Sequence, residues 1–173
     1  MSLPLSINRP SGGDLVAAAT SPLSKHRQSV VSVLTVALAT EWISALRYSQ
    51  HAIAAAEANA PGVSSYFAEC AKEEQQQATL LADRIKQLGG NPCLDPAQVH
   101  ERSRSISTGQ KCHDLQSMIR ENLSAEQVSM ESYLDSMRYI ADSDLTTTNL
   151  LRHIFLQTEK HAAAMAGLSV STL

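Results

Sequence analysis

The sequence has few cysteines, few aromatic residues and no excess of basic charge. The three cysteines are widely spaced and form no CxxC pair, which argues against a cysteine-rich zinc site. Free thiols are the expected state, with a disulfide between Cys93 and Cys112 as the alternative. The seven aromatic residues and the net charge of −3 disfavour a nucleic-acid-stacking platform and a basic surface. We therefore expect no nucleic-acid partner.

The sequence also lacks a long apolar run and a recognisable signal peptide. No apolar stretch approaches the roughly 20 residues that span a bilayer. The N-terminal region has no basic start, and its longest apolar stretch is only Leu15 to Ala19. These features predict a cytoplasmic protein with no membrane partner.

Glycine and proline are concentrated in a few places, and the long runs between them have helix lengths rather than strand lengths. The longest run, 110–166, contains a polar cluster at 141–148 whose Asp and Ser residues are good N-caps. The sequence therefore predicts an all-α protein with four long helices and no strands. The predicted helices cover about 24–59, 64–88, 111–142 and 146–166.

The predicted helices define one domain with two tails. Residues 1–22 are rich in Ser, Pro and Gly and are expected to form a disordered N-terminal tail. Residues 23–168 form the four-helix bundle, and 169–173 form a short C-terminal tail. The connection at about 89–110 is long for a bundle, and Asp95 with Pro96 is suited to begin a short extra helix there.

Each predicted helix has an apolar stripe at helical spacing, and polar residues interrupt all four stripes near their middles. Because an unpaired buried carboxylate is very costly, three of them on inner faces need compensation, which a metal ion supplies. A fully hydrogen-bonded network without metal is the alternative. The interrupting residues are Glu41, Glu74, Gln77, Glu126, Thr158 and His161.

Two tyrosines follow carboxylates at the same spacing. Tyr48 is seven residues after Glu41, and Tyr133 is seven residues after Glu126. Two helical turns separate each pair, so both phenols are expected to point inward and to bond carboxylates of the site. Asn122, one turn before Glu126, is a candidate partner of the site.

At these residues the sequence resembles the ferritin-like superfamily, in particular bacterioferritins and related Dps-like ferritins. That family builds a di-iron site from one Glu on the first helix, ExxH on the second, one Glu on the third and ExxH on the fourth. The two Glu-x6-Tyr segments, the Glu41-to-Glu74 interval and the Leu-Gly-Gly-Asn-Pro segment carry the resemblance, which covers about 28–167. It implies a ferritin-like antiparallel four-helix bundle that oxidises Fe(II) and stores iron.

The sequence departs from the family pattern at two ligand positions. Gln77 stands where the second helix has His, and Thr158 stands where the fourth helix has Glu. We expect neither to bind metal directly; they pair with each other or hold water. The neighbouring Glu73 and Glu159 do not replace them, because each lies about 100° round its helix from the stripe.

The remaining Glu74, Glu126 and His161 suit a single Fe(II), Mn(II) or Zn(II) ion, with Glu41 as a candidate fourth ligand. The resemblance thus implies an iron-binding protein holding one or two ions, with Fe(II) oxidation, iron storage and detoxification as its functions. One alternative is a non-catalytic ferritin-fold subunit, metal-binding or structural, that has lost the di-iron centre. Another is an oxygen-dependent enzyme that acts on an organic substrate.

The resemblance also bears on haem and on assembly. Bacterioferritins bind haem through a Met within the second-helix motif, and that position is Gln75, so no haem is expected. Only six residues follow Gly167, which leaves no fifth helix and favours a homo-oligomer, either a dimer or a Dps-like dodecamer. Trp42 lies off the stripe and is expected at a subunit interface. The isolated histidines are expected at the surface or at helix ends; they are His51, His100, His113 and His153.

Overall fold

A computed structural model describes residues 22–104, 114–140 and 143–171 of the chain. Within these ranges the protein is all-α and has no strands, as the sequence predicts. The helices are α1 (Pro22–Glu57), α2 (Pro61–Gln87), α3 (Pro96–Arg102), α4 (Leu115–Ile140) and α5 (Leu145–Ser171). Helix α5 continues five residues past its predicted end. The predicted N-terminal tail, up to residue 21, and the predicted start of the third long helix lie outside the described residues.

Helices α1 and α2 form an antiparallel hairpin. Near the connection, Ser64 Oγ donates a hydrogen bond to the Ala52 carbonyl at 2.8 Å. At the far end, Gly89 has a φ of 78°, which suits glycine at a helix C-terminus. A Cβ on Gly90 would lie 2.7 Å from Val31 Cγ1, so only glycine allows the chain to pass this close to α1.

Helices α4 and α5 form the second pair, and α4 runs antiparallel to α1 of the first pair. Tyr48 contacts Glu126 while Tyr133 contacts Glu41, so α1 and α4 run in opposite directions. Since α1 is also antiparallel to α2, helices α2 and α4 are parallel. The chain must therefore cross the length of the bundle between them, and α3 lies on this crossover and packs against α1.

A capping residue ties the two pairs together near the start of α5. Asp144 Oδ1 accepts a hydrogen bond from the Thr147 backbone N–H at 3.0 Å, the N-cap geometry expected at this break. Both Asp144 carboxylate oxygens also lie 2.9 Å from Arg84 Nη2 on α2. This ion pair sets the register between α2 and α5.

Two apolar layers fill the bundle, with the polar residues between them. Burial of each large aliphatic side chain stabilises the fold by about 1.5–3 kcal/mol. The layers also exclude water from the polar level, which strengthens electrostatic interactions there. One layer is built around Leu34, Leu81, Ile85, Ile140 and Ile154, and the other around Phe67, Met118, Ile119 and Met165.

Helix α1 is more apolar than its interrupted stripe suggests. Its segment Lys25–Glu57 is long and apolar enough to cross a membrane by length and composition, with a mean hydropathy of 1.7. However, 56% of the most apolar stretch of this segment is buried inside the bundle. The core helix of a soluble protein can be just as long and apolar. The segment is therefore weak support for a membrane span.

Candidate metal centre

The structure buries all six of the polar residues that interrupt the helical stripes. None of their side chains is more than 4% exposed, and they come from α1, α2, α4 and α5. Four helices therefore contribute polar groups to one water-poor level of the bundle. The residues are Glu41, Glu74, Gln77, Glu126, Thr158 and His161.

Three of these residues have the spacing of a metal-binding cluster. One ligand atom from each of Glu74, Glu126 and His161 lies within 4.8 Å of the other two. Ligand atoms that share an ion at ~2.1 Å each lie within about 4.2 Å of one another, so only a small inward movement is needed. Two carboxylates and one imidazole are a donor set suited to Fe(II), Mn(II) or Zn(II).

His161 contacts a carboxylate with each ring nitrogen. Its Nδ1 lies 3.1 Å from Glu74 Oε1, and its Nε2 lies 2.6 Å from Glu73 Oε2. The expectation that Glu73 points away from the site is therefore wrong. Although its Cα is off the stripe of α2, the long side chain reaches α5. A proton on Nε2 shared with Glu73 leaves Nδ1 as the metal-facing nitrogen.

Two phenols bond carboxyl groups on the opposite helix. Tyr48 on α1 donates to Glu126 Oε1 on α4 at 2.5 Å. Tyr133 on α4 donates to Glu41 Oε1 on α1. Glu41 is thereby held beside the three-residue cluster without belonging to it. Burial, and after it the charge of nearby Glu74, raise the pKa of Glu41.

Two buried oxygens at this level have no hydrogen-bond partner among the described residues. They are Glu41 Oε2 and Gln77 Oε1. Both are acceptors, so what each lacks is a proton donor or a cation. Thr158 does not supply one, because its hydroxyl donates to the Ile154 carbonyl at 3.1 Å. The unpartnered oxygens fit a site that receives a positively charged ion.

Burial perturbs the acid–base properties of the cluster. It raises the pKa of Glu74 to about 8 and also raises the pKa values of Glu41 and Glu126. Burial alone would lower the pKa of His161, but contacts with Cys70, Glu126 and Glu73 raise it to about 9. Without a metal, protons therefore hold the cluster together, and a metal ion would displace them.

The side chain of Arg47, a buried cation, lies next to the cluster. The stripe pattern of α1 does not predict its burial. Arg47 on α1 is only 5% exposed. Its Nε donates to Asn122 Oδ1 at 3.0 Å. Asn122, predicted as a partner of the site, accepts this hydrogen bond from the guanidinium.

His51 is not at the surface, contrary to the sequence-based expectation. It is 2% exposed, its ring centroid lies 6.0 Å from that of Phe67, and its Nε2 lies 3.9 Å from Glu121 Oε2. The inner stripe of α1 simply continues one turn past Tyr48. His100 and His153 are exposed as expected, and His113 lies outside the described residues.

The two described cysteines do not form a disulfide with each other. Cys70 is buried beside His161, and Cys93 is exposed. Cys112 lies outside the described residues, so the alternative Cys93–Cys112 disulfide stays a hypothesis.

Comparison with known proteins agrees with the geometry. A family model for the ferritin-like domain matches residues 32–170. The fold is similar to that of a dodecameric thioferritin, the bacterioferritin-related protein from Bacteroides fragilis. The TM-score is 0.79 at 29% identity, and the match covers 84% of this chain and 87% of that one. A search of curated protein sequences gives no significant match.

Two further solved structures share the fold at lower identity. Desulfovibrio desulfuricans bacterioferritin, whose structures describe a di-iron site, has a TM-score of 0.74 at 20% identity over 84% of this chain and 81% of that one. A Mycobacterium smegmatis Dps1 mutant has a TM-score of 0.79 at 19% identity over 84% and 97%. Since the family model spans well over half of the sequence, the chain belongs to the ferritin-like family.

Proposed function

We propose that the protein binds one divalent metal ion per chain, with Fe(II) as its physiological ion. Glu74, Glu126 and His161 are the proposed ligands, and Glu41, buried at the same level, is the candidate fourth ligand. The observation that carries this proposal is the buried three-residue cluster with ligand atoms within 4.8 Å. The unpartnered oxygens of Glu41 and Gln77 support it, since a bound cation would supply the partner that each oxygen lacks.

The proposed role is iron binding, storage and detoxification, with Fe(II) oxidation slower than at a di-iron site. Reduction of O2 to H2O2 consumes two electrons and two protons, and each Fe(II) that becomes Fe(III) supplies one electron. A single ion therefore cannot complete this step alone. Gln77 and Thr158, in place of a histidine and a carboxylate, remove ligands of the other position.

The assembly and the location follow from the same family. We propose a cytoplasmic homo-oligomer without haem, with a dimer and a Dps-like dodecamer as the candidate states. The Bacteroides fragilis thioferritin is described as dodecameric, and this chain covers 87% of it. Large apolar side chains on one face of α1 support an interface, since Trp42, Leu46 and Ile53 are 44%, 55% and 65% exposed.

A non-catalytic subunit is the second candidate. The observation that favours it is the hydrogen bonding of the metal-free cluster, in which His161 uses both ring nitrogens. Such a network stabilises a bundle without any ion. It would leave the protein to act through its surface or its assembly.

Anaerobic titration with Co(II), followed by its visible absorption spectrum, tests the metal proposal. We expect saturation near one equivalent in the native protein and loss of the signal in His161→Ala. His153→Ala, an exposed histidine on the same helix, is the matched control. Unchanged binding in His161→Ala contradicts the site. Ion binding without faster Fe(II) oxidation than in buffer favours the non-catalytic candidate.

A further inference from the structure

Two free acceptor oxygens lie at the polar level but outside the three-residue cluster. Glu41 Oε1 accepts a hydrogen bond from Tyr133, whereas Glu41 Oε2 has no hydrogen-bond partner among the described residues. Gln77 Oε1 has none there either, and the two residues are only 2% and 4% exposed. Glu41 is not among the residues whose ligand atoms lie within 4.8 Å of one another at the cluster. Its free oxygen is therefore available to an ion other than the one in the cluster.

Gln77 on α2 and Thr158 on α5 lie level with each other, one helical turn from the cluster. The ion pair between α2 and the start of α5, together with the contact of Glu74 with His161, shows that the two helices are antiparallel. Gln77 is three residues after Glu74, and Thr158 is three residues before His161. Both steps therefore run in the same direction along the bundle, by about 4.5 Å.

Glu41 on α1 lies level with the same stretch of α2. Ser64 Oγ on α2 donates a hydrogen bond to the Ala52 carbonyl on α1 at 2.8 Å, and these two helices are antiparallel. Glu41 is eleven residues before Ala52, and Gln75 is eleven residues after Ser64. The free oxygens of Glu41 and Gln77 therefore belong to the same level of the bundle.

The ligand set of Glu41, Gln77 and Thr158 differs in chemistry from that of the cluster. It consists of one carboxylate, one amide carbonyl and one hydroxyl. The Thr158 hydroxyl donates its hydrogen to the Ile154 carbonyl, so its oxygen is left as an acceptor. With no nitrogen or sulfur ligand and a single charged oxygen, the set does not fit the second iron of a di-iron site. Carboxylate and amide oxygens are instead the ligands of hard cations such as Mg²⁺ and Ca²⁺.

We propose that Glu41 Oε2, Gln77 Oε1 and Thr158 Oγ1 bind a hard divalent cation, of the Mg²⁺ or Ca²⁺ kind, beside the transition-metal ion of the cluster. This inference goes beyond the proposed function, which concerns the cluster alone, and it assigns Glu41 to the second ion. It also departs from the expectation that neither Gln77 nor Thr158 binds metal. The two replaced ligands thus change the kind of ion at this position instead of emptying it.

A buried water molecule is the competing occupant. Water donates two hydrogens, and one to each free oxygen would satisfy both Glu41 and Gln77. The two occupants respond differently to a carboxylate at position 77. With a cation, the added charge strengthens binding. With water, it places two carboxylates side by side without compensation, and no dependence on added cation follows.

Calorimetric titration of the protein loaded with one equivalent of Zn²⁺ tests the inference, with Mg²⁺ and Ca²⁺ added in separate experiments. We expect one further ion per chain in the native protein, and the tighter of the two identifies the preferred ion. Gln77→Leu is expected to lose this binding and Thr158→Val to weaken it, while both retain the Zn²⁺.

A variant that gains a ligand charge completes the test. Gln77→Glu is expected to bind the second ion about tenfold or more tightly, because a charged oxygen replaces a neutral one. Gln76→Glu, at the exposed neighbouring residue, is the matched control and should bind as the native protein does. If Gln77→Leu does not fold, the difference between these two variants decides. Equal affinities in both would overturn the inference.

Three further results would overturn the inference. They are binding of neither Mg²⁺ nor Ca²⁺ by the native protein, equal binding in Gln77→Leu, and two Zn²⁺ ions per chain, since the position would then not select hard cations. Failure of the proposed function looks different. A chain that binds no Zn²⁺ but binds Mg²⁺ or Ca²⁺, with loss in Gln77→Leu, would contradict the cluster and support the second site.

Discussion

The Nε2 atom of His161 on α5 lies 2.6 Å from the Oε2 atom of Glu73 on α2. Its other nitrogen, Nδ1, faces Glu74, the next residue along α2. Two adjacent residues of one helix thus contact both sides of one ring on another. This arrangement fixes the ring orientation before a metal binds, and it assigns separate roles to the two glutamates.

Glu73→Gln is expected to weaken metal binding about 10- to 100-fold, because the carboxylate orients His161 and increases the basicity of Nδ1. Competition with a chromophoric Zn²⁺ chelator measures the change. Glu69→Gln removes an exposed carboxylate from the same helix and is the control. An equal loss in both variants would show that general surface charge, and not the contact with His161, is responsible.

The stability of the metal-free protein is expected to fall as the pH rises. The pKa of Glu74 is raised by burial from 4.5 to about 8, so the stability that it contributes is complete below 4.5 and is lost as the pH passes 8. The pKa of His161 is raised from 6.5 to about 9, so its contribution is complete below 6.5 and is lost as the pH passes 9. Both groups therefore lower the stability of the metal-free protein as the pH rises.

Thermal unfolding in the presence of a chelator measures this dependence. We expect the Tm of the metal-free protein to decrease between about pH 5 and 9, the window set by these shifts. Saturating Zn²⁺ is expected to oppose the decrease, because the ion replaces the displaced protons. A Tm that rises with pH in the metal-free protein would show that the carboxyl groups are not held protonated by burial.

Tyr133→Phe is expected to destabilise the metal-free protein by about 1–3 kcal/mol. The substitution removes the donor to Glu41 Oε1, and Glu41 Oε2 already has no partner. Urea unfolding with a chelator present measures the loss. Tyr139→Phe, at a residue 63% exposed on the same helix, is the control and should change little. A loss of similar size in both variants would mean that the buried hydrogen bond is not its cause.

Gln77→His combined with Thr158→Glu is expected to allow a second ion to bind. The histidine adds a nitrogen ligand, and the glutamate adds a carboxylate ligand. Metal content after loading, compared with each single variant, measures the gain. One ion or none in the double variant would show that the two positions on α2 and α5 are not the missing ligands.

The sequence predicts the helices and the buried polar level because helical periodicity decides which Cα atoms face the core. It fails for Glu73 and Arg47 because a long side chain can reach an interior from a position about 100° off the stripe. It fails for His51 because an isolated histidine is a common surface residue, and only packing against Phe67 shows it to be buried. Contacts between particular residues of different helices, such as that of Tyr133 with Glu41, depend on how the helices pack, which the sequence pattern does not give.

Iron content per chain after anaerobic Fe(II) loading and removal of unbound ion distinguishes a one-ion site from a two-ion site and from an empty bundle. We expect close to one iron per chain in the native protein and close to none in Glu126→Gln. The matched control, Glu131→Gln on the outer part of α4, should retain the iron. Two irons per chain, or one iron that Glu126→Gln retains, would contradict a single-ion site at Glu74, Glu126 and His161.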